Sequence, residues 1–195
     1  MVILLNGAFG VGKTTVARRL VARLPGSALY DPERIGYVLR RLPGFVPLRG
    51  RGTDDFQDLD LWRRLTVSFG RLGLRLRPTL VVPMAFSNRA HLDEIRAGLA
   101  AVDARVLHFC LTARLAVVEA RLRERGAAPW CFRRAAECCE AHADPFFAEQ
   151  VATDDRTPDE VADRIAARIR ERADQASPVA IGTSSASPHS AQDPS

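Results

Sequence analysis

Apolar positions recur along this chain with two alternating periods. A continuous apolar run from Val2 to Asn6 has the length of a strand, and Thr14 to Leu24 then places Val16, Leu20 and Leu24 on one helical face, with Ala17 and Val21 beside them. Pro25-Gly26 ends that helix, and Ala28-Leu29-Tyr30 reads as a short second strand. Asp31 then takes the N-cap position and Pro32 the first position of a helix whose apolar face is Ile35, Val38, Leu39 and Leu42. Pro43 to Asp60 is rich in turn formers and charge and reads as a loop. A longer helix follows, carrying Trp62, Leu65, Phe69, Leu72 and Leu76 at spacings of 3, 4, 3 and 4. Gly70 and Gly73, each unfavourable in a helix interior by about 1 kcal/mol relative to Ala, mark either close packing or a bend.

Thr79 to Val82 is apolar throughout, as in a parallel sheet covered on both faces, and Pro83-Met84 ends it. Ser87 or Asn88 caps a helix with Leu92, Ile95 and Leu99 inside, and Arg105 to Leu111 is a fourth strand. Leu115, Val118 and Leu122 mark a helix that breaks at Ala127 to Pro129 and resumes from Trp130 to Ala143, so the stretch around 121–134 is expected to be a lid. Gln150 to Thr153 is a fifth strand, and Thr157-Pro158-Asp159-Glu160 is a capping box for a helix that buries Val161, Ile165 and Ile169. The alternation predicts an α/β fold, a doubly wound five-stranded parallel sheet flanked by helices in three layers. Residues 1–174 form the single predicted domain, and the Ala, Ser, Pro and Gly composition of 175–195 predicts a disordered tail.

Composition narrows the partners. The net charge is +5 and the pI about 9.6, yet the arginines are interspersed among 23 acidic residues and no nucleic-acid motif is present. They read as solvated helix faces with a few phosphate contacts, so no nucleic-acid partner is expected. Cys110, Cys131, Cys138 and Cys139 lack zinc spacing. With neither a secretory signal nor an apolar stretch of membrane-spanning length, the chain reads as a reduced, cytoplasmic protein with no stable membrane anchor. Its oligomeric state is left open, a homodimer included.

The chemistry is concentrated at Gly7-Ala8-Phe9-Gly10-Val11-Gly12-Lys13-Thr14, which fits G-x-x-x-x-G-K-[ST] at every fixed position. The glycines let backbone N–H groups curl around a polyphosphate, Lys13 reaches the β- and γ-phosphates, and the Thr14 hydroxyl can ligate Mg²⁺. Of the 28 Lys and Arg residues Lys13 is the single lysine. A chain that otherwise uses arginine has kept one compact ammonium where a phosphate cradle needs a point charge. Asp31, at a strand end, can accept a hydroxyl proton or hold a metal-bound water, and equally can be a plain helix cap. Arg121 and Arg125 lie four apart on one helical face, placed to stack on a base or clamp phosphates as a lid closes, or simply to be solvated. Phe56, Trp62 and Met84 line either an acceptor pocket or the core. His91, His108, His142 and His189 form no cluster. The apolar strand ending Val82-Pro83-Met84 lacks the acid that holds Mg²⁺ in many P-loop NTPases, which points away from motors and GTPases and toward a small kinase.

Ile3 to Thr14, Tyr30-Asp31-Pro32-Glu33-Arg34-Ile35-Gly36, Asp54-Asp55-Phe56-Gln57, Leu61-Trp62-Arg63 and Val82-Pro83-Met84, in that order, resemble the tunicamycin resistance protein family. The resemblance runs to about Arg172. It implies a P-loop fold of the nucleoside and shikimate kinase type, with ATP on Gly7, Ala8, Phe9, Gly10, Val11, Gly12, Lys13, Thr14 and Thr15. It also implies protection against a nucleoside antibiotic that carries a uridine and a fatty acyl chain. The Arg121 and Arg125 spacing is similar to the lid entry of nucleotide kinases, where the first arginine stacks on adenine and the second meets phosphate. The expected catalytic set is therefore Lys13, Asp31 and Arg125, with Glu33, Arg34, Phe56, Trp62 and Met84 joining Asp31 as acceptor contacts. An ATP-dependent phosphotransferase acting on a small molecule is the leading reading. A sequestering protein that holds the drug without modifying it, and a kinase of a cellular metabolite, are the open alternatives.

Overall fold

Every residue of the first apolar run is buried, as a central strand of a covered sheet requires. The computed structural model describes residues 1–42, 55–102, 105–147 and 149–176. Strand β1 (Val2–Gly7) lies between β3 (Thr79–Pro83) and β4 (Val106–Thr112), with β2 (Ser27–Leu29) and β5 (Glu149–Ala152) at the two edges. All four pairings are parallel, and the order is β2-β3-β1-β4-β5. Alternate residues of β1 feed two cores. Ile3 and Leu5 join Val16 and Leu20 of α1 (Lys13–Arg23) and Val161, Ile165 and Ile169 of α7 (Pro158–Ala176). Val2 and Leu4 join Trp62 of α3 (Asp60–Leu76) and Leu92, Ile95 and Leu99 of α4 (Arg89–Ala100). The three layers and five parallel strands expected from the apolar periods are present.

The caps follow the chain's local chemistry. Asn88 accepts from the amides of Ala90 and His91, and Thr157 and Glu160 exchange hydrogen bonds as a capping box. Three details depart from the sequence reading. Helix α2 (Glu33–Arg40) starts one residue later than expected, with Pro32 at its N-cap, and Asp31 Oδ1 accepts from the Glu33 amide at 3.1 Å. Its buried positions are Gly36 and Leu39, while Val38 is 62% exposed. In α3 the buried face is Trp62, Arg63, Thr66 and Gly70, and Phe69, Leu72 and Leu76 of the apolar stripe are 49%, 48% and 75% exposed. The two glycines explain the rotation: a Cβ on Gly70 would lie 2.6 Å from Leu99 Cδ2 and one on Gly73 would lie 3.0 Å from Leu80 Cδ1. They mark close packing. Helix α7 runs to Ala176, two residues beyond the expected domain end, and the rest of the expected tail lies outside the described residues, as do residues 43–54 of the expected loop.

The stretch around 121–134, expected to be a lid, is carried by helices α5 (Leu115–Glu124) and α6 (Pro129–Ala141), which pack through Val118, Leu122, Cys131 and Ala135 with Phe9 against them. The four cysteines are free thiols.

One buried group gives the fold a pH signature. His108 on β4 is 4% exposed and neither ring nitrogen has a hydrogen-bond partner. Burial, with Arg96 adding to it, pushes its pKa down to about 4. Between that value and the ordinary 6.5 the unfolded chain binds a proton that the folded chain does not, so stability present above this window is lost as the pH falls through it. Urea unfolding should lose on the order of 2 kcal/mol from this group between neutral pH and the lower end of the window. A His108→Leu variant should show a correspondingly shallower pH slope.

Candidate active site

Strand β1 delivers the chain to the P-loop at Gly7, where a Cβ would come within 2.7 Å of the Leu111 carbonyl oxygen and 2.8 Å of Val11 Cγ1. Gly10 and Gly12 adopt φ of 85° and 102°, a region that L side chains avoid, and so return the chain to the start of α1. Gly12 is the N-cap of α1 and offers no side-chain cap, and the first turn carries no acid. The first-turn N–H groups of Lys13, Thr14 and Thr15 therefore lack an intrahelical acceptor and a capping oxygen, which is the donor set that fits a phosphate. Thr14 is exposed beside them and holds the hydroxyl suited to a phosphate-bound Mg²⁺. Among the described residues no group of three or more His, Cys, Asp and Glu could cage a metal. That donor set suits an ion held mainly by phosphate oxygens and water.

Lys13 is 8% exposed, and its Nζ donates to the carbonyls of Gly7 and Ala8, each at 2.8 Å. Burial lowers its pKa from the ordinary 10.5, and the largest charge acting against that is Glu33. Reciprocally, burial raises the Glu33 carboxyl above its ordinary 4.5, and the largest opposing influence is Lys13. At both groups burial outweighs the attraction of the opposite charge. Arg125, exposed at the C-cap of α5, acts on both groups. Arg121 turns elsewhere. It donates to Thr153 O at 2.8 Å and Thr153 Oγ1 at 3.2 Å, walling a groove with Val11, Thr15, Arg156 and Pro158 beside the P-loop.

Beyond the P-loop a cavity is lined by Phe9, Trp62, Pro83, Met84 and Ala85. Its remaining lining comes from Pro32, Glu33, Tyr37, Arg40, Asp55, Phe56, Gln57 and Trp130. Aromatic rings dominate. Trp130 at the start of α6 meets Phe9 edge-on at 5.3 Å, and Tyr37 meets Phe56 at 5.2 Å. Gly36 makes room for that ring, since a Cβ there would lie 2.3 Å from Phe56 Cγ. The short 3-10 turn at Phe56–Asp58 is fixed from several directions. Asp55 Oδ1 accepts from the Gln57 amide at 3.0 Å, Gln57 Nε2 donates to Ala85 O at 2.8 Å, and Arg63 donates to Gln57 O. Arg134 of α6 reaches Asp55 Oδ2 at 2.6 Å. Trp62 Nε1 donates to Pro32 O at 3.0 Å. The connection after β3 is tied to β1 by Asn6, which donates to Phe86 O at 3.0 Å and accepts from Phe86 N at 2.8 Å, with His142 Nε2 2.6 Å from Phe86 O.

Of the acceptor contacts expected from sequence, Glu33, Phe56, Trp62 and Met84 meet in this cavity. Asp31 and Arg34 do not line it. They flank a separate groove with Arg18 and Tyr30 at the β2 edge, because the later start of α2 turns Glu33 inward and leaves Asp31 capping its amide. Tyr37, Arg40, Asp55, Gln57 and Trp130 were not singled out from sequence. Asp55 and Gln57 do fall in one of the quoted family stretches, and Trp130 opens the helix after the lid break.

Residues 2–143 match the AAA domain family. The chain is similar to the tunicamycin resistance protein of Deinococcus radiodurans, with 32% identity over 86% of this chain and 94% of that one and a TM-score of 0.71. It shares its fold with a sugar kinase from Janibacter sp., at 18% identity over 87% and 94% of the two chains and a TM-score of 0.60. The same holds for the shikimate kinase of Acinetobacter baumannii, solved in complex with shikimate, at 15% identity over 88% and 93% and a TM-score of 0.58. No curated protein sequence matches the chain. A P-loop launched from the centre of a parallel sheet, with the family match spanning it, makes this chain a kinase-like member of the AAA-domain family, and within it a relative of the tunicamycin resistance proteins.

Proposed function

We propose that this protein is an ATP-dependent small-molecule phosphotransferase whose acceptor is a nucleoside antibiotic of the tunicamycin type. The observation that carries the reading is the buried Lys13 held by the P-loop at an uncapped helix N-terminus, with an aromatic cavity that Glu33 lines. The similarity to the Deinococcus radiodurans protein supports the antibiotic as acceptor. Backbone donors of the P-loop hold the nucleotide's phosphates, and Lys13 exchanges its two loop carbonyls for phosphate oxygens. Mg²⁺ entering with the nucleotide would neutralise phosphate charge, with Thr14 as its protein ligand. Arg121 walls the adenine side, and Arg125 adds positive charge near the transferred group.

Glu33 takes the acceptor's hydroxyl proton as that oxygen bonds to the γ-phosphorus and the bridging oxygen leaves with ADP. Its raised pKa strengthens it as a base. Asp31, the acid expected from the strand end, is the competing candidate for this role. Phe56, Trp62 and Trp130 would stack on a flat ring, and the aromatic lining equally favours a second reading in which the drug is held unmodified. No helix among the described residues is long and apolar enough to cross a membrane, so the reading invokes no spanning segment.

Incubation with Mg-ATP and tunicamycin should add the mass of one phosphate to the drug, and a bound but unmodified drug would decide for sequestration. Lys13→Met should lower turnover at least about 100-fold with the fold retained by circular dichroism. Glu33→Gln should lower kcat by about 100-fold or more, and Asp31→Asn should lower it less than about tenfold. The opposite ranking would return the base to Asp31.

A further inference from the structure

Helix α3 presents two separate surfaces. Trp62, Thr66 and Gly70 turn inward, while Leu65, Phe69, Leu72 and Leu76 form a second stripe about 100° further round the helix. The alternating 3 and 4 spacing of that stripe is the spacing of a helix-to-helix seam, yet its last three members, Phe69, Leu72 and Leu76, are 49%, 48% and 75% exposed. Across a groove floored by Leu29 and Tyr30 stands Ile35 of α2, with exposed Val38 one turn on. The groove therefore runs along β2, an edge strand of three residues. Arg18 and Arg34 rim it together with Asp31, and none of the three is in an ion pair among the described residues.

We propose that this face is the contact between two copies of the chain, α3 packing on α3 of the partner. A two-fold interface sets one patch against itself and so must be self-complementary. This patch is: apolar stripe meets apolar stripe, and a rim holding both signs lets Arg34 or Arg18 face the partner subunit's Asp31, and the reverse. An anionic surface or an acidic helix would match the two arginines but set Asp31 against like charge. Pairing also covers the exposed β2 edge, a common liability of open sheets.

Sedimentation velocity of the full-length, unmutated chain over the micromolar range should show a concentration-dependent monomer and dimer. Leu72→Gln with Leu76→Gln, both at exposed positions, should weaken dimerisation by more than about tenfold, and Arg18→Glu should weaken it with the apolar stripe intact. Hydrogen exchange of the unmutated protein gives a readout that needs no variant: amides across Phe69 to Leu76 should gain protection as the dimer fills. A chain that stays monomeric throughout, including one that instead binds vesicles or another helix through this face, overturns the proposal. So does a dimer whose protection lies away from α2 and α3.

Discussion

The N-terminus of α1 carries backbone donors that no side chain among the described residues caps, and rigid neighbours hold it in place. Orphan N–H groups at a helix end are normally met by a Ser, Thr, Asp or Asn at the N-cap. Here that position is a glycine in the left-handed region, and the helix dipole is left pointing at open space. Keeping such an end in place needs rigid neighbours. β1 supplies one, because it is buried on both faces and paired on both edges. The far end of α1 is tied to α7 by Arg23, which reaches Asp159 at 2.8 Å and Asp163 at 2.6 Å. Such exposed ion pairs are each worth roughly 0–1 kcal/mol, so they orient the helix more than they stabilise it.

What was legible in the sequence follows how local each feature is. The P-loop is eight consecutive residues, and its glycine conformations are dictated within that span, so it could be read directly. The strands and helices were legible for a similar reason, since each period is confined to one element. The buried face of α3 was not. Periodicity locates a helix but assigns the inside to its largest apolar residues, and here close approach to Leu99 and Leu80 is made by glycines. The acceptor side failed on separation: Arg134 and Asp55 meet across 79 residues, and Gln57 and Ala85 across 28. The buried Asn6, Phe86 and His142 contacts join three distant segments of chain and leave no local signature at all.

A single proline divides two acids, Asp31 and Glu33, between two surfaces. Pro32 stands at the N-cap of α2, with Asp31 lining the β2 groove and Glu33 lining the cavity. Pro32 also accepts from the Trp62 indole, which anchors the turn to α3. The turn therefore serves both faces of the edge: one carboxylate belongs to the cavity and the other to the outer groove. A one-residue difference in where a helix starts decides which acid is which.

The scarcity of lysine has a chemical consequence apart from phosphate binding. Because Lys13 is the chain's one lysine, the molecule has only two aliphatic amines, its ε-amino group and the terminal nitrogen of Met1. The first is desolvated and held by two loop carbonyls, and the second donates to Pro78 O with its pKa lowered by burial. The outer surface thus offers acylating reagents and isopeptide-forming enzymes no lysine side chain. Lysine-directed covalent chemistry on this chain is confined to the floor of its P-loop.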